Sequence, residues 1–150
     1  MKSMLEHYKK TAEHKLHVAK YLWKIAFKLI SRSVTHDLSK FSYTESKSFA
    51  KVISKLGKIE YGSKEYTEML KTLKPVLNHH YKCNPHHPEY YGKQIDLMSL
   101  IDMIEMFCDW KAAGKRNLNG SIDESIKINT KRFELAENQL YLFYKIKEEL

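Results

Sequence analysis

His36 and Asp37 stand side by side, and Lys40 follows three residues after the aspartate. An imidazole nitrogen and a carboxylate within one turn make a compact ligand pair for a divalent metal. On a helix, Lys40 shares a face with His36 at i, i+4. A cation beside such a pair suits an anionic substrate, most simply a phosphate. Taken alone, the pair reads as a solvated surface dipeptide. The other histidines change that reading.

The chain holds eight histidines. Four of them fall in one segment, as His79-His80 and His86-His87. With His14 before and Asp102 after, the order is His14, His36-Asp37, His79-His80, His86-His87, Asp102. Helical domains build metal sites from side chains projected inward by different helices. Imidazole and carboxylate together suit Mn, Fe, Co, Ni or Zn better than Mg alone. Adjacent helical residues point roughly 100° apart. Each His-His pair therefore supplies one inner ligand and one neighbour, unless two or three ions are bound. His14, His36, Asp37, His79, His80 and Asp102 form the expected metal set, for one to three ions.

The elements that must position these residues are helical. Helix formers dominate, with only five Gly and three Pro, and the pattern predicts an all-α fold of about six helices. Residues 3–32 lack Gly and Pro and keep a helical apolar period, with a break expected near Thr11. A helix is expected to carry His36 to Lys40, and another to run from Thr44 to Leu56 with Gly57 as its C-cap. Ser63 reads as the N-cap of a helix over 64–81 that is kinked or split at Pro75. Residues 94–113 read as the central helix, apolar nearly all round. It nevertheless carries Asp102, Glu105 and Asp109 in one stripe. Buried carboxylates are costly unless paired or bound to metal. Only Lys93 and Lys111 flank this helix, near its ends, so a metal is the expected compensation for Asp102. Glu105 and Asp109 suit carboxylates that hydrogen-bond and orient the histidines, and for Asp109 an ion pair with Lys111 or Arg116 suits equally well. Gly114 to Gly120 reads as a loop, and Ser121 with Glu124 as a capping box opening the next helix.

A chain of 150 residues with 43% hydrophobic content is long enough for one domain with a real core, so residues 1–150 are read as a single domain. The formal charge of +8 favours anionic partners, either small phosphorylated molecules or nucleic acid. Lys20, Lys24 and Lys28 interrupt the apolar run of the first helix and exclude a membrane span there. Cys83 and Cys108 make no disulfide framework, and no signal peptide is recognised. A reducing cytoplasm is the expected location.

These residues resemble the HD superfamily of metal-dependent phosphohydrolases. Glu13-His14-Lys15-Leu16-His17-Val18-Ala19 is similar to that superfamily's first helix, which selects His14 over His17. His36-Asp37-Leu38-Ser39-Lys40 resembles its His-Asp-Ile-Gly-Lys form, with Ser in place of Gly, and Asp102 fits its late Asp. Over nearly its whole length the chain also resembles a small family of bacterial and phage proteins. That family shares an HD-x-SK segment, an HHY-x-x-N-x-HHPE segment at residues 79–89 and an EMFCDWKAA segment at 105–113. This second resemblance implies a shared fold and carries no assigned substrate.

The expected function is a metal-dependent phosphohydrolase acting on a nucleotide or related phosphate ester. Asp37 would bridge two ions, and a metal-activated hydroxide would attack phosphorus. Lys40 would neutralise the developing charge, and His86 or His87 would bind phosphate or protonate the leaving group. Two alternatives stand beside it. One is an HD-type di-iron oxygenase, which shares this ligand order. The other is a non-enzymatic nucleic-acid-binding protein using the positive charge. Against the latter, the lysines are spread over many helices and no nucleic-acid motif is present.

Overall fold

The computed structural model describes residues 2–56, 58–59, 63–115 and 121–150, with the side chains of residues 2 and 53–56 excepted. The protein is all-α: among the described residues there are seven α-helices, three short 3-10 turns and no strand. Where one domain over 1–150 is expected, the chain divides into two compact units, residues 1–35 and 36–150.

The first unit is α1, Lys2–Thr35. It runs unbroken through Thr11, where a break is expected. The sequence has neither Gly nor Pro there, so no backbone group is lost from the hydrogen-bond ladder. Among the described residues, no helix is long and apolar enough to cross a membrane.

The second unit begins at the His-Asp pair, and here the structure corrects the expected helix over His36 to Lys40. Asp37 takes the left-handed conformation (φ 56°, ψ 19°) and starts a 3-10 turn at Leu38–Phe41. Aspartate tolerates this region better than most residues because its short polar side chain bonds locally. The turn breaks the i, i+4 geometry that would set Lys40 beside His36. Lys40 pairs with the Asp37 carboxylate instead.

Helix α2 follows at Tyr43–Leu56; its expected C-cap, Gly57, lies outside the described residues. The helix expected over 64–81 is split, as Pro75 suggests. Helix α3 spans Lys64–Thr72 and α4 spans Lys74–Cys83, with Leu73 at the junction and Pro75 in the first turn of α4. A proline there loses no hydrogen bond, because the first-turn N–H groups have no intrahelical partner. Ser63 caps α3 as expected, accepting from the Tyr66 amide at 3.1 Å.

The central helix starts later than expected. Residues 95–97 form a 3-10 turn, and α5 spans Leu100–Gly114. Ser99 and Asp102 fix this start as a reciprocal capping box. Helices α6 (Ile122–Phe133) and α7 (Glu137–Glu149) complete the chain. Most of the 114–120 loop lies outside the described residues. Ser121 accepts from the Glu124 amide at 3.1 Å and caps α6.

The core gathers where α5, α6 and α7 meet. Met106, Phe107, Ile126 and Phe143 are buried there with Ile95, Met98 and Leu135. Phe107 and Phe143 stack at 6.0 Å, and Trp110 meets Phe143 edge-on at 5.4 Å. This apolar mass holds one face of α5 rigid. The opposite face carries Glu105 and Asp109 toward the histidines.

Asp102, an expected metal ligand, stands in the capping box and belongs to no ion-holding group among the described residues. Its Oδ2 accepts from Ser99 Oγ at 2.7 Å, from Tyr91 Oη at 3.0 Å and from the Ser99 amide at 3.2 Å. Local hydrogen bonds therefore compensate its buried charge, in place of an ion. Ser99→Ala is expected to cost about 1 kcal/mol of stability in urea unfolding. Asp102→Asn, measured by elemental analysis, is expected to keep its full metal content; a loss of bound metal would return Asp102 to the site.

Candidate metal centre

Four elements converge on one buried cluster: the turn at 36–41, helix α4, the loop 84–91 and α5. The loop is drawn in by its own backbone. The His87 amide donates to Asn84 O, and Pro88 then opens a 3-10 turn over Pro88–Tyr91. This arrangement turns both His86 and His87 inward. The expectation of one inner and one outer histidine assumes a helix, and these two are not on one.

Asp37 Oδ1 lies 3.2 Å from His80 Nε2 and 3.5 Å from His86 Nε2. His80 Nε2 lies 2.9 Å from His87 Nε2. All four donor atoms fall within 4.8 Å of one another. Bonds of about 2.0–2.2 Å around a tetrahedral ion set ligand atoms roughly 3.3–3.6 Å apart, close to the observed spacing. Asp37 Oδ1 and His86 Nε2 are buried and have no hydrogen-bond partner. Native interiors rarely leave such atoms unsatisfied, and here both face the same point.

The carboxylates behind the histidines fix which ring nitrogen is bare. A carboxylate only accepts, so a nitrogen bonded to one carries the proton. His80 Nδ1 donates to Glu45 Oε2 at 2.9 Å, with Glu45 fully buried. His86 Nδ1 and His36 Nδ1 both reach Glu105 Oε1, at 3.1 Å and 2.9 Å. The Nε2 atoms of His80, His86 and His36 then point toward Asp37. Carboxylate-oriented imidazoles of this kind are the usual support around a metal. Ser39 and Asn84 brace the same array: Asn84 Nδ2 donates to Ser39 Oγ at 2.7 Å, and Ser39 Oγ donates to Glu45 Oε2 at 3.1 Å.

Asp37 faces a second group as well. His36 Nε2 lies 3.4 Å from Asp37 Oδ2 and 3.7 Å from Asp109 Oδ1, and these three residues form another set able to hold an ion. The two oxygens of Asp37 thus point into adjacent donor sets. Lys40 Nζ bonds Oδ2 and lies 5.8 Å from the Phe49 ring centroid.

Electrostatics follow from this crowding. Hydrogen bonds to Asp109 and Glu105 raise His36 to about 10. Burial, reinforced by the charges of His86 and His80, lowers His87 to about 3. Burial pushes the Asp37 carboxyl up, but the close approach of His80 and the Lys40 ammonium outweighs it and holds the group well below the usual range. The His36 hydrogen bond likewise depresses Asp109 against the opposing effect of burial.

Of the sequence-predicted ligands, His36, Asp37 and His80 are brought together. His79 is half-exposed and turns its Nδ1 to Glu45 Oε1 at 2.7 Å. It joins only a peripheral group with Glu45 and Cys83. His14 is exposed on α1, in the first unit, and belongs to no ion-holding group among the described residues. His86 and His87, expected to act on substrate, stand among the ligand donors. Glu45, Glu105 and Asp109 carry much of the site, and Glu45 was not singled out from the sequence. Its signal was faint: one acid in a polar first turn. Asp109 faces His36 rather than Lys111, and Arg116 lies outside the described residues.

The chain belongs to DUF5662, a family of unknown function whose profile matches residues 3–150. No curated protein and no solved structure matches it.

Two outcomes follow from the geometry. Glu45→Gln and Glu105→Gln are each expected to weaken metal binding about 10- to 100-fold, because the tautomers behind the ligands are released; competition with a chromogenic chelator measures this. In the metal-free protein, His36 is raised above its unfolded value. Its contribution to stability is complete below pH ~6.5 and fades as the pH climbs through about 10. Urea midpoints in chelator should therefore separate wild type from His36→Gln most at pH 6 and least above pH 10. A constant separation would show that the His36 charge is not coupled to folding.

Proposed function

We propose that this protein is a metal-dependent phosphohydrolase whose ions would be held by Asp37 together with His80, His86 and His87 on one side and His36 and Asp109 on the other. The observation that carries the reading is the position of that carboxylate. Oδ1 faces the His80, His86 and His87 nitrogens, and Oδ2 faces the set of His36 and Asp109. Mixed imidazole and carboxylate donors suit Mn, Fe, Co, Ni or Zn better than Mg alone. Ions held there supply an acidified water and positive charge for phosphoryl oxygens.

The chain's own residues have separate tasks. Glu45 and Glu105 hold the tautomers of His80, His86 and His36 so that each ring offers Nε2. Burial keeps His87 neutral near pH 7, so one of its ring nitrogens carries no proton and could coordinate. Lys40 is partly exposed, at 37% of its side chain, and sits against Asp37 at the solvent side. An ammonium there meets an incoming phosphate and stabilises charge as it develops. That cation favours an anionic substrate such as a phosphate ester. The two free, exposed cysteines suit a reducing, cytoplasmic setting for the same enzyme.

Metal analysis of the purified protein, followed by a phosphate-release screen over nucleotides and simpler esters with Mn, Co, Ni, Zn and Mg, tests the reading. Asp37→Ala is expected to lose bound metal and all phosphate release while its helical circular dichroism persists. Lys40→Ala is expected to keep its metal but lose phosphate affinity about tenfold, as for one charge-assisted contact. Wild-type protein that binds iron and consumes oxygen with substrate, without releasing phosphate, would replace hydrolysis by oxygenation. An Asp37→Ala variant with full metal occupancy would remove the centre altogether.

A further inference from the structure

Helix α4 carries a second concentration of chemistry, roughly a third of a turn around from His80. A pocket of about 500 Å³ opens there between α3, α4, the 88–93 segment and α6. Its volume lies within the range of roughly 300–1,000 Å³ usual for small-molecule sites. Leu70, Leu77 and Tyr81 give it an apolar and aromatic lining, and Lys71, Lys74, Lys82 and Lys93 surround that lining.

The charges do not cancel. Arg132 is held by Glu89, and Lys71 bonds Glu68 at 2.6 Å. Lys74, Lys82 and Lys93 make no ion pair among the described residues. Lys93 is held at the pocket in an unfavourable left-handed conformation (φ 71°), with its amide bonded to Pro88 O at 2.7 Å. A non-glycine residue keeps such a conformation only where its surroundings over-determine it. Cations around a concave apolar surface concentrate positive potential over it.

We propose that this pocket binds an organic phosphate: a small molecule whose phosphate groups meet Lys74, Lys82 and Lys93 while an apolar or aromatic body lies on Leu77 and Tyr81. The site shares no donor with the metal cluster, so it stands whether or not the hydrolase reading does. The two are nevertheless neighbours. The Tyr81 ring packs on His87 at 5.0 Å, and Tyr81 also bonds Arg132. One aromatic side chain thus forms the wall between them.

The probe is adenosine triphosphate, titrated calorimetrically into the full chain in the presence of excess chelator, so that no affinity comes through a metal. Adenosine and inorganic phosphate serve as its two halves. Adenosine triphosphate is expected to bind more tightly than either half. The triple variant Lys74→Ala/Lys82→Ala/Lys93→Ala is expected to lose at least about tenfold in affinity, because each lysine offers a charge-assisted contact. Lys74→Glu alone should also weaken binding, and circular dichroism confirms that both variants are folded. Three results overturn the proposal: no binding by the wild type, unchanged affinity in the folded triple variant, or inorganic phosphate binding as tightly as the whole nucleotide. A single-stranded oligonucleotide that outcompetes adenosine triphosphate and loses its advantage in the triple variant also overturns it, by making the surface a nucleic-acid track. Phosphate release by the metal centre, scored on Asp37→Ala, is read separately and can fail without affecting this result.

Discussion

Buried carboxylates and buried imidazoles must answer one another in this protein. Glu45, Glu105 and Asp37 lie among His80, His86 and His36, in surroundings where an unpaired charge is several times more costly than in water. Each glutamate accepts from the Nδ1 side of one or more rings, and each ring then turns its Nε2 side toward Asp37. Direct pairing with the glutamates satisfies the outer half of the array. The inner half brings Nε2 atoms close to the oxygens of Asp37, where Oδ1 and His86 Nε2 are buried without a hydrogen-bond partner. Those two atoms are the unmet demand that the proposed centre would satisfy.

The rest of the second unit serves that arrangement. Phe107, Phe143 and Met106 fix α5 against α6 and α7, which leaves Glu105 and Asp109 on a rigid face. Leu73 and Val76 are buried at the start of α4, the helix that carries His80. Ser39 links Glu45 to Asn84, so the turn bearing Asp37 is tied to both α2 and the loop bearing His86. In the sequence form with glycine at this position the hydroxyl is absent. In this chain it joins three elements at one oxygen.

The helical class, the caps at Ser63 and Ser121 and the split at Pro75 were legible, because each rests on local backbone chemistry. The centring of the site on His36, Asp37 and His80 was legible from residue types and order. Asp102 and Glu105, two carboxylates three residues apart on a greasy helix, look alike in sequence. Only the position of the helix start distinguishes them, and Ser99 sets that start. Asp102 is consumed as a cap, while Glu105, one turn further on, reaches the histidines. His86 and His87 were expected to act on the substrate, and the loop that carries them sets both beside Asp37 and His80. The left-handed turn at Asp37 was not legible, because aspartate permits that conformation without demanding it.

That turn makes Asp37 more than a carboxylate. In the left-handed conformation, with Ser39, Lys40 and the loop bonded around it, Asp37 is aimed by the backbone rather than by a freely turning side chain. Ser39 ties the same turn to Glu45 on α2 and to Asn84 at the end of α4. A substitution at position 37 therefore removes a backbone conformation along with a charge. Asparagine, which also tolerates the left-handed region, is the replacement that separates the two.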